Sequence, residues 1–248
     1  MAQAIPAGLV KRSTRPSFFF WMTLVMAAFI FSGFGLTYWL PMASGSLATL
    51  PPVVHLHGLF FFSWMVLLVV QSILINANNV QLHRSLGSFG IALGTGVLLL
   101  GALLTMLSAG QGIGNPSPNG NALNYLSVVA VLSFGVLFVL AMRNTRKPES
   151  HKRLVLFSTI NLLPPGVNRL YMVSFGLTNV PLLATYLTLD ALAIAMLIHD
   201  RRTIGRPSGA SLTGAAFVFG PQLLYPLIAN SAAFERLVAM LAGLAHYR

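Results

Sequence analysis

The sequence predicts an all-α polytopic transmembrane helix bundle of about seven spans, and three observations lead there. Only 8% of the 248 residues are charged, while 56% are hydrophobic; soluble domains carry about 25% charged residues. Two long stretches, Pro16 to His83 and Ser85 to Met142, contain no Asp, Glu, Lys or Arg at all, and no water-facing surface can be assembled from them. Within and beyond them, apolar runs repeatedly reach the roughly 20 residues a helix needs to cross the hydrocarbon core. These runs are continuously apolar, whereas barrel strands would alternate over about 10 positions.

The spans can be read in order. The first covers roughly Ser17 to Leu40, preceded by Lys11, Arg12 and Arg15; it is longer than the roughly 7–15 apolar residues of a signal peptide. The second covers Val53 to Ile75. A polar stretch, Asn76 to Arg84, leads into the third, Leu86 to Leu107. Gly110 to Asn121 is rich in Gly, Pro and Asn and is a predicted loop. The fourth span is Leu123 to Met142. The fifth, Leu154 to Leu177, contains Pro164 and Pro165 and should kink or break there. The sixth is Pro181 to His199, and the seventh is Leu212 to Ala229, with Pro221 and Pro226 inside it. The chain thus divides into a basic N-terminal segment (1–16), a seven-helix domain (17–230) and a short C-terminal segment (231–248). That last apolar pattern is too short to span and is expected to form an amphipathic helix.

The basic residues set the orientation. With seven spans, Lys11, Arg12 and Arg15, then Arg84, then the five basic residues between Arg143 and Arg153, then Arg201, Arg202 and Arg206 all fall on one side. The positive-inside tendency assigns that side to the cytoplasm, with the N-terminus inside and the C-terminus outside. A bacterial inner membrane is the expected location. The net charge of +11 comes from these loop clusters and not from a basic face, so no nucleic-acid partner is expected; the bilayer is, possible companion subunits aside. The chain has no Cys, which excludes disulfides, thiolate metal sites and Cys nucleophiles.

Polar residues inside a bilayer are the functional candidates. Arg169 and Asp190 lie in the fifth and sixth spans, both roughly 12–14 Å below the outer surface at 1.5 Å per residue. A short loop joins these spans, so an Arg169–Asp190 ion pair is expected, either as a structural neutralisation or as a site for an anion or a proton. Asn161 and Asn168 make the fifth span the most polar wall, and Gln71 lies deep in the second.

The histidines divide by side. His55 and His57 open the second span at the outer face. Two residues apart on a helix, they point about 200° from each other. His83, His151 and His199 sit at the inner ends of three spans, with Asp200 beside His199. Two chemistries compete with a plain interfacial role. Facing helices could ligate a haem through a His pair drawn from His83, His151 and His57. Alternatively His83, His151, His199 and Asp200 could hold zinc or iron. No HxxxH or HExxH motif closes either set.

The stretches HLHGLFFFSWMVLLVVQSILI from His55, HRSLGSFG from His83, HKRLVLFSTINLLPPGVNRL from His151 and HDRRTIGRP from His199 resemble an uncharacterised family of bacterial polytopic membrane proteins. More loosely, they resemble domain-of-unknown-function groups near the b-type membrane cytochromes. The likeness covers roughly residues 50–210. Its recurring elements fall on His57, Gln71, His83 with Arg84, His151 and Arg169. The resemblance implies a shared fold and a connection to haem b or quinone, and it implies no particular reaction. The chain departs from the cytochrome pattern because no span carries two well-separated histidines. The leading expectation is therefore an electron-transfer or accessory protein of a respiratory-type system, binding haem or quinone near His83 and His151. A small-molecule transporter or structural subunit, with Arg169 and Asp190 along its path, and a metal-dependent membrane enzyme are the alternatives.

Overall fold

The computed structural model describes residues 16–112, 120–179 and 181–245, which are helical in ten pieces with no strand among them. Ser17 caps the first helix, its Oγ accepting from the Phe20 N–H. Helix α1 (Phe18–Phe34) runs through a π-helical turn (Gly35–Trp39) into α2 (Leu40–Ala43). Then follow α3 (Pro52–Asn76), α4 (Val80–Gly112), α5 (Gly120–Arg143), α6 (Pro148–Ile160), α7 (Pro164–Phe175), α8 (Leu182–Ile204), α9 (Gly209–Ile228) and α10 (Ala232–Ala245). Six of these elements are long and apolar enough to cross a membrane: α1 with α2, then α3, α4, α5, α8 and α9. The chain is a membrane protein of the all-α polytopic class.

The segment expected as the fifth span consists of two shorter helices, α6 and α7. Pro164 and Pro165 bring no N–H to the carbonyls one turn back, so the helix stops after Ile160 and restarts at Pro164. The two pieces together run alongside α1 from one end to the other. Lys152 Nζ sits 4.2 Å over the Phe19 ring, and Arg169 lies 4.5 Å over the Phe34 ring. Between these points Gly33 meets Gly166 so closely that a methyl group on Gly33 would collide with the Gly166 carbonyl. Small residues let two backbones touch where lipid offers no hydrophobic drive for association.

Helix α6 forms the centre of the bundle. Phe157, Ile160 and Leu163 are fully buried, and the Phe157 ring occupies the space that a side chain at Gly214 of α9 would need. Trp64 of α3 donates its indole N–H to Thr159 Oγ1 at 3.2 Å, which satisfies two polar groups that lipid could not. The same indole packs edge-on against Phe134 and Phe138 of α5. The other elements alternate in direction around this centre. Ser17 at the start of α1 donates its backbone N–H to Asn76 at the end of α3, while Phe34 at the far end of α1 meets Phe62.

Two refinements concern element ends. Helix α4 begins at Val80, so His83 stands within a helix and not before one. Helix α10 does not lie free at an interface: Phe234, Val238 and Ala242 form a small second core with Tyr125 of α5 and Ala109 of α4. The predicted Gly110–Asn121 loop falls largely outside the described residues, as do the basic residues Lys11, Arg12 and Arg15.

Candidate functional site

The bundle has a basic end, where α1, α4, α6 and α9 begin and α3, α5 and α8 finish, and a far end. Polar side chains gather at both, and the broken span connects them.

At the basic end the sequence offered three histidines and Asp200 as one set, and the structure separates them. Asp200 is fully buried and both its oxygens are taken. Oδ1 accepts from Arg153 Nε and Nη2 at 2.8 and 2.6 Å. Oδ2 accepts from the Ser208 backbone N–H at 3.0 Å and from Ser211 Oγ at 2.7 Å. Arg153, equally buried, spends Nη1 on the Glu149 carbonyl and on Glu149 Oε2. This cluster pins α8 to α6 and to the first turn of α9. Burial would raise the Glu149 carboxyl, but hydrogen bonds from Lys152 and Arg153 overcome it and hold the group below the usual carboxylate range. His199 points elsewhere, stacked on Phe18 at 4.1 Å and edge-on to Phe19. Among the described residues no three His, Asp or Glu side chains are gathered as a metal-ligand set, so His83, His151, His199 and Asp200 do not form the expected cluster.

His83 and His151 share the basic end, in the first turns of α4 and α6. His151 donates from Nδ1 to the Ala141 carbonyl at 2.9 Å. That bond fixes the ring and leaves Nε2 as the lone-pair nitrogen in the neutral tautomer. Gln71 donates from Nε2 to the His83 carbonyl at 3.2 Å. The buried Gln71 Oε1 and His83 Nδ1 have no hydrogen-bond partner among the described residues.

At the far end the expected Arg169–Asp190 pair does not form. Arg169 donates to the Pro165 carbonyl of its own helix at 3.0 Å and stacks on Phe34. Asp190 accepts from Gln222 Nε2 of α9 at 2.7 Å. Depth matches but direction does not. The face of α7 turned to α8 carries Asn168 and Tyr171, bonded to Thr185 and Thr188 respectively. Arg169 stands about 100° round the helix from Asn168, and Asp190 about 200° from Thr188, at 100° per residue. Both charges therefore point away from the shared interface.

His55 and His57 diverge as their spacing requires, because α3 is already helical from Pro52. His55 Nδ1 lies 2.5 Å from the Tyr38 hydroxyl. The His57 ring packs on Phe61 with centres 4.0 Å apart, and its buried Nδ1 has no partner among the described residues. They do not converge on one centre.

Two spaces flank the broken span. A small cavity of about 20 Å³, room for a single water, is lined by Asn161, Pro164, Tyr186 and Pro221 among others; the buried Tyr186 hydroxyl lacks a partner among the described residues. A wider open groove of about 470 Å³ runs between α1, α7 and α8, past Phe29, Phe175 and Leu187, with the Tyr171–Thr188 hydrogen bond in its wall.

Sequence reasoning overlooked Arg153, which looked like one more topology signal among five basic residues. The available signal was compositional. With four acidic residues in the whole chain, each one near a span end needs a cation, and the Glu149–Arg153 spacing of four already marked a helical pair. No protein-family model, curated protein or solved structure matches the chain.

Proposed function

We propose that the chain is a seven-span protein of a bacterial inner membrane, basic end in the cytoplasm, that holds a redox cofactor between His83 and His151. The observation that carries this reading is the His151 ring, fixed by its Nδ1–H bond to the Ala141 carbonyl. Histidines that ligate iron are commonly held in this way, with the second nitrogen left to the metal. His83, in the first turn of α4, has a nitrogen without a partner among the described residues, and Arg84, Arg143 and Lys147 are exposed nearby in the chain to meet carboxylates such as haem propionates. Haem b fits this donor set through His151 Nε2 and a His83 nitrogen. A quinol head group fits it as well, its O–H donating to His151 and the unsatisfied Gln71 Oε1 accepting a second O–H. Either group would supply electron transfer, with the protein supplying position and hydrogen bonds. On this reading the chain serves a respiratory-type system as an electron carrier or accessory subunit.

An absorption spectrum of the purified protein tests the proposal. Haem predicts a Soret band and reduced α/β bands that vanish in His83→Ala and in His151→Ala. Quinone predicts a colourless protein that releases stoichiometric quinone on solvent extraction, and less from His151→Ala. A colourless protein that releases no quinone defeats the proposal.

A second reading rests on the break itself. Discontinuous helices with polar groups at mid-membrane line the substrate paths of many transporters, and Asn161 and Asn168 flank the interruption here. Uptake of a solute into proteoliposomes, lost on Asn168→Ala, would favour it.

A further inference from the structure

We propose that Arg169 forms a binding site for one anionic oxygen group, a phosphate or carboxylate, at the far end of the bundle. Charge balance is the starting point. A guanidinium at span depth is costly unless it is paired or reaches water or a head group. The chain has four acidic residues, and none of them serves Arg169. Glu149 and Asp200 belong to Arg153 at the opposite end. Asp190 is turned to Gln222. Glu235 is exposed on α10 and makes no ion pair with Arg169. Of the five N–H donors that a guanidinium carries, one is used, on the Pro165 carbonyl. The Arg169 side chain is exposed, so the other donors are open to an incoming group.

The surroundings fix what kind of group can reach it. The Arg169 guanidinium carbon lies 4.5 Å from the centre of the Phe34 ring, and an Arg with open donors meets a planar or tetrahedral oxyanion through two parallel N–H bonds. Just beyond lie Tyr38 and the exposed Trp39, the residue types that settle at the head-group level of a bilayer. Arg169 stands about one and a half turns before the end of α7, within snorkelling reach of that level. The bound oxyanion therefore sits at the base of the head-group layer. It belongs either to a lipid phosphate or to a soluble anion entering from the aqueous side, and the chemistry on the protein is the same for both.

The test uses the full chain in nanodiscs of phosphatidylcholine, with and without phosphatidylglycerol, and compares wild type with Arg169→Gln, Arg169→Lys and the basic-end control Arg202→Gln. Native mass spectrometry counts retained phosphatidylglycerol, and thermal unfolding is followed with inorganic phosphate or succinate added. A lipid source predicts one retained phosphatidylglycerol whose affinity falls about tenfold or more in Arg169→Gln, the equivalent of one lost charge-assisted hydrogen bond, with Arg202→Gln unchanged. A soluble source predicts stabilisation by phosphate or succinate that disappears in Arg169→Gln. Arg169→Lys, which keeps the charge without the fork, should bind with intermediate strength in either case. Equal binding by wild type and Arg169→Gln overturns the proposal. If Arg169→Gln does not fold, wild type alone decides: neither a retained lipid nor anion stabilisation would overturn it equally.

Discussion

The two halves of the broken span each carry an arginine, and the two are treated in opposite ways. Arg153 on α6 is buried and enclosed by Asp200, Glu149 and the start of α9. Arg169 on α7 is exposed, rests on a phenyl ring and bonds only to its own backbone. The first arrangement is a lock: four of the five N–H donors are matched to acceptors, and three helices are held together. The second leaves donors open and contributes little to holding the bundle. A buried ion pair rarely stabilises a fold relative to well-packed apolar residues, yet removing one partner strands the other at high cost. The lesson of the comparison is that the sealed arginine serves architecture, whereas the open one is available to something outside the chain.

Mutation separates the two. Asp200→Ala leaves Arg153 buried without its counter-charge and should destabilise the bundle by about 3–5 kcal/mol, read as a lowered midpoint in thermal or denaturant unfolding in detergent. A much smaller loss would mean that water reaches the pair and that the seal is not real. Next in size is Gly33→Ala. Its methyl meets backbone and not a movable side chain, so separating α1 from α7 should cost about 1–3 kcal/mol. Trp64→Phe keeps most of the ring packing but loses the one hydrogen bond to Thr159, whose hydroxyl still donates to the Val155 carbonyl, with an expected loss of about 1 kcal/mol. Arg169→Gln, by contrast, should change stability by no more than about 0.5 kcal/mol in the absence of anions, as exposed substitutions do. A large loss there would make both arginines structural and erase the contrast.

The smallest effect is one of pH. Glu149 has its pKa held down in the folded state by Lys152 and Arg153. Its contribution to stability is therefore complete above the unfolded carboxylate value and is lost as the pH falls through the lower folded value. Because Glu149 is largely solvent-exposed, the acid loss should be slight. Glu149→Gln should flatten it, while Arg153 and Asp200 continue to hold the helices.

Much of this architecture was legible in the residues, because hydropathy responds to the same physics that places a segment in lipid. The charge-free stretches marked out the first four long apolar helices, though α4 starts six residues before the expected Leu86, and Pro164 with Pro165 marked the break between α6 and α7. The spacing of His55 and His57 already implied that they would diverge on a helix. What the sequence hid was direction around each helix and pairing across the chain. Arg169 and Asp190 were matched in depth, but Asn168, Tyr171, Thr185 and Thr188 occupy the interface between their helices and turn both charges away. Arg153 and Asp200 lie 47 residues apart, and only the packing of α6 against α8 and α9 unites them. Asp200 therefore looked like a metal ligand beside His199, while His199 faces the aromatic start of α1.

The central claim is that α6 and α7 form one interrupted crossing, with the sealed arginine toward one aqueous side and the open one toward the other. The absence of native Cys makes it directly testable by single-cysteine labelling in oriented membranes. Thr145→Cys, before α6, and Thr178→Cys, after α7, should each react with a membrane-impermeant maleimide from one side only, and from opposite sides. Labelling of both from the same side would mean that the broken pair turns back within the bilayer and would contradict the account.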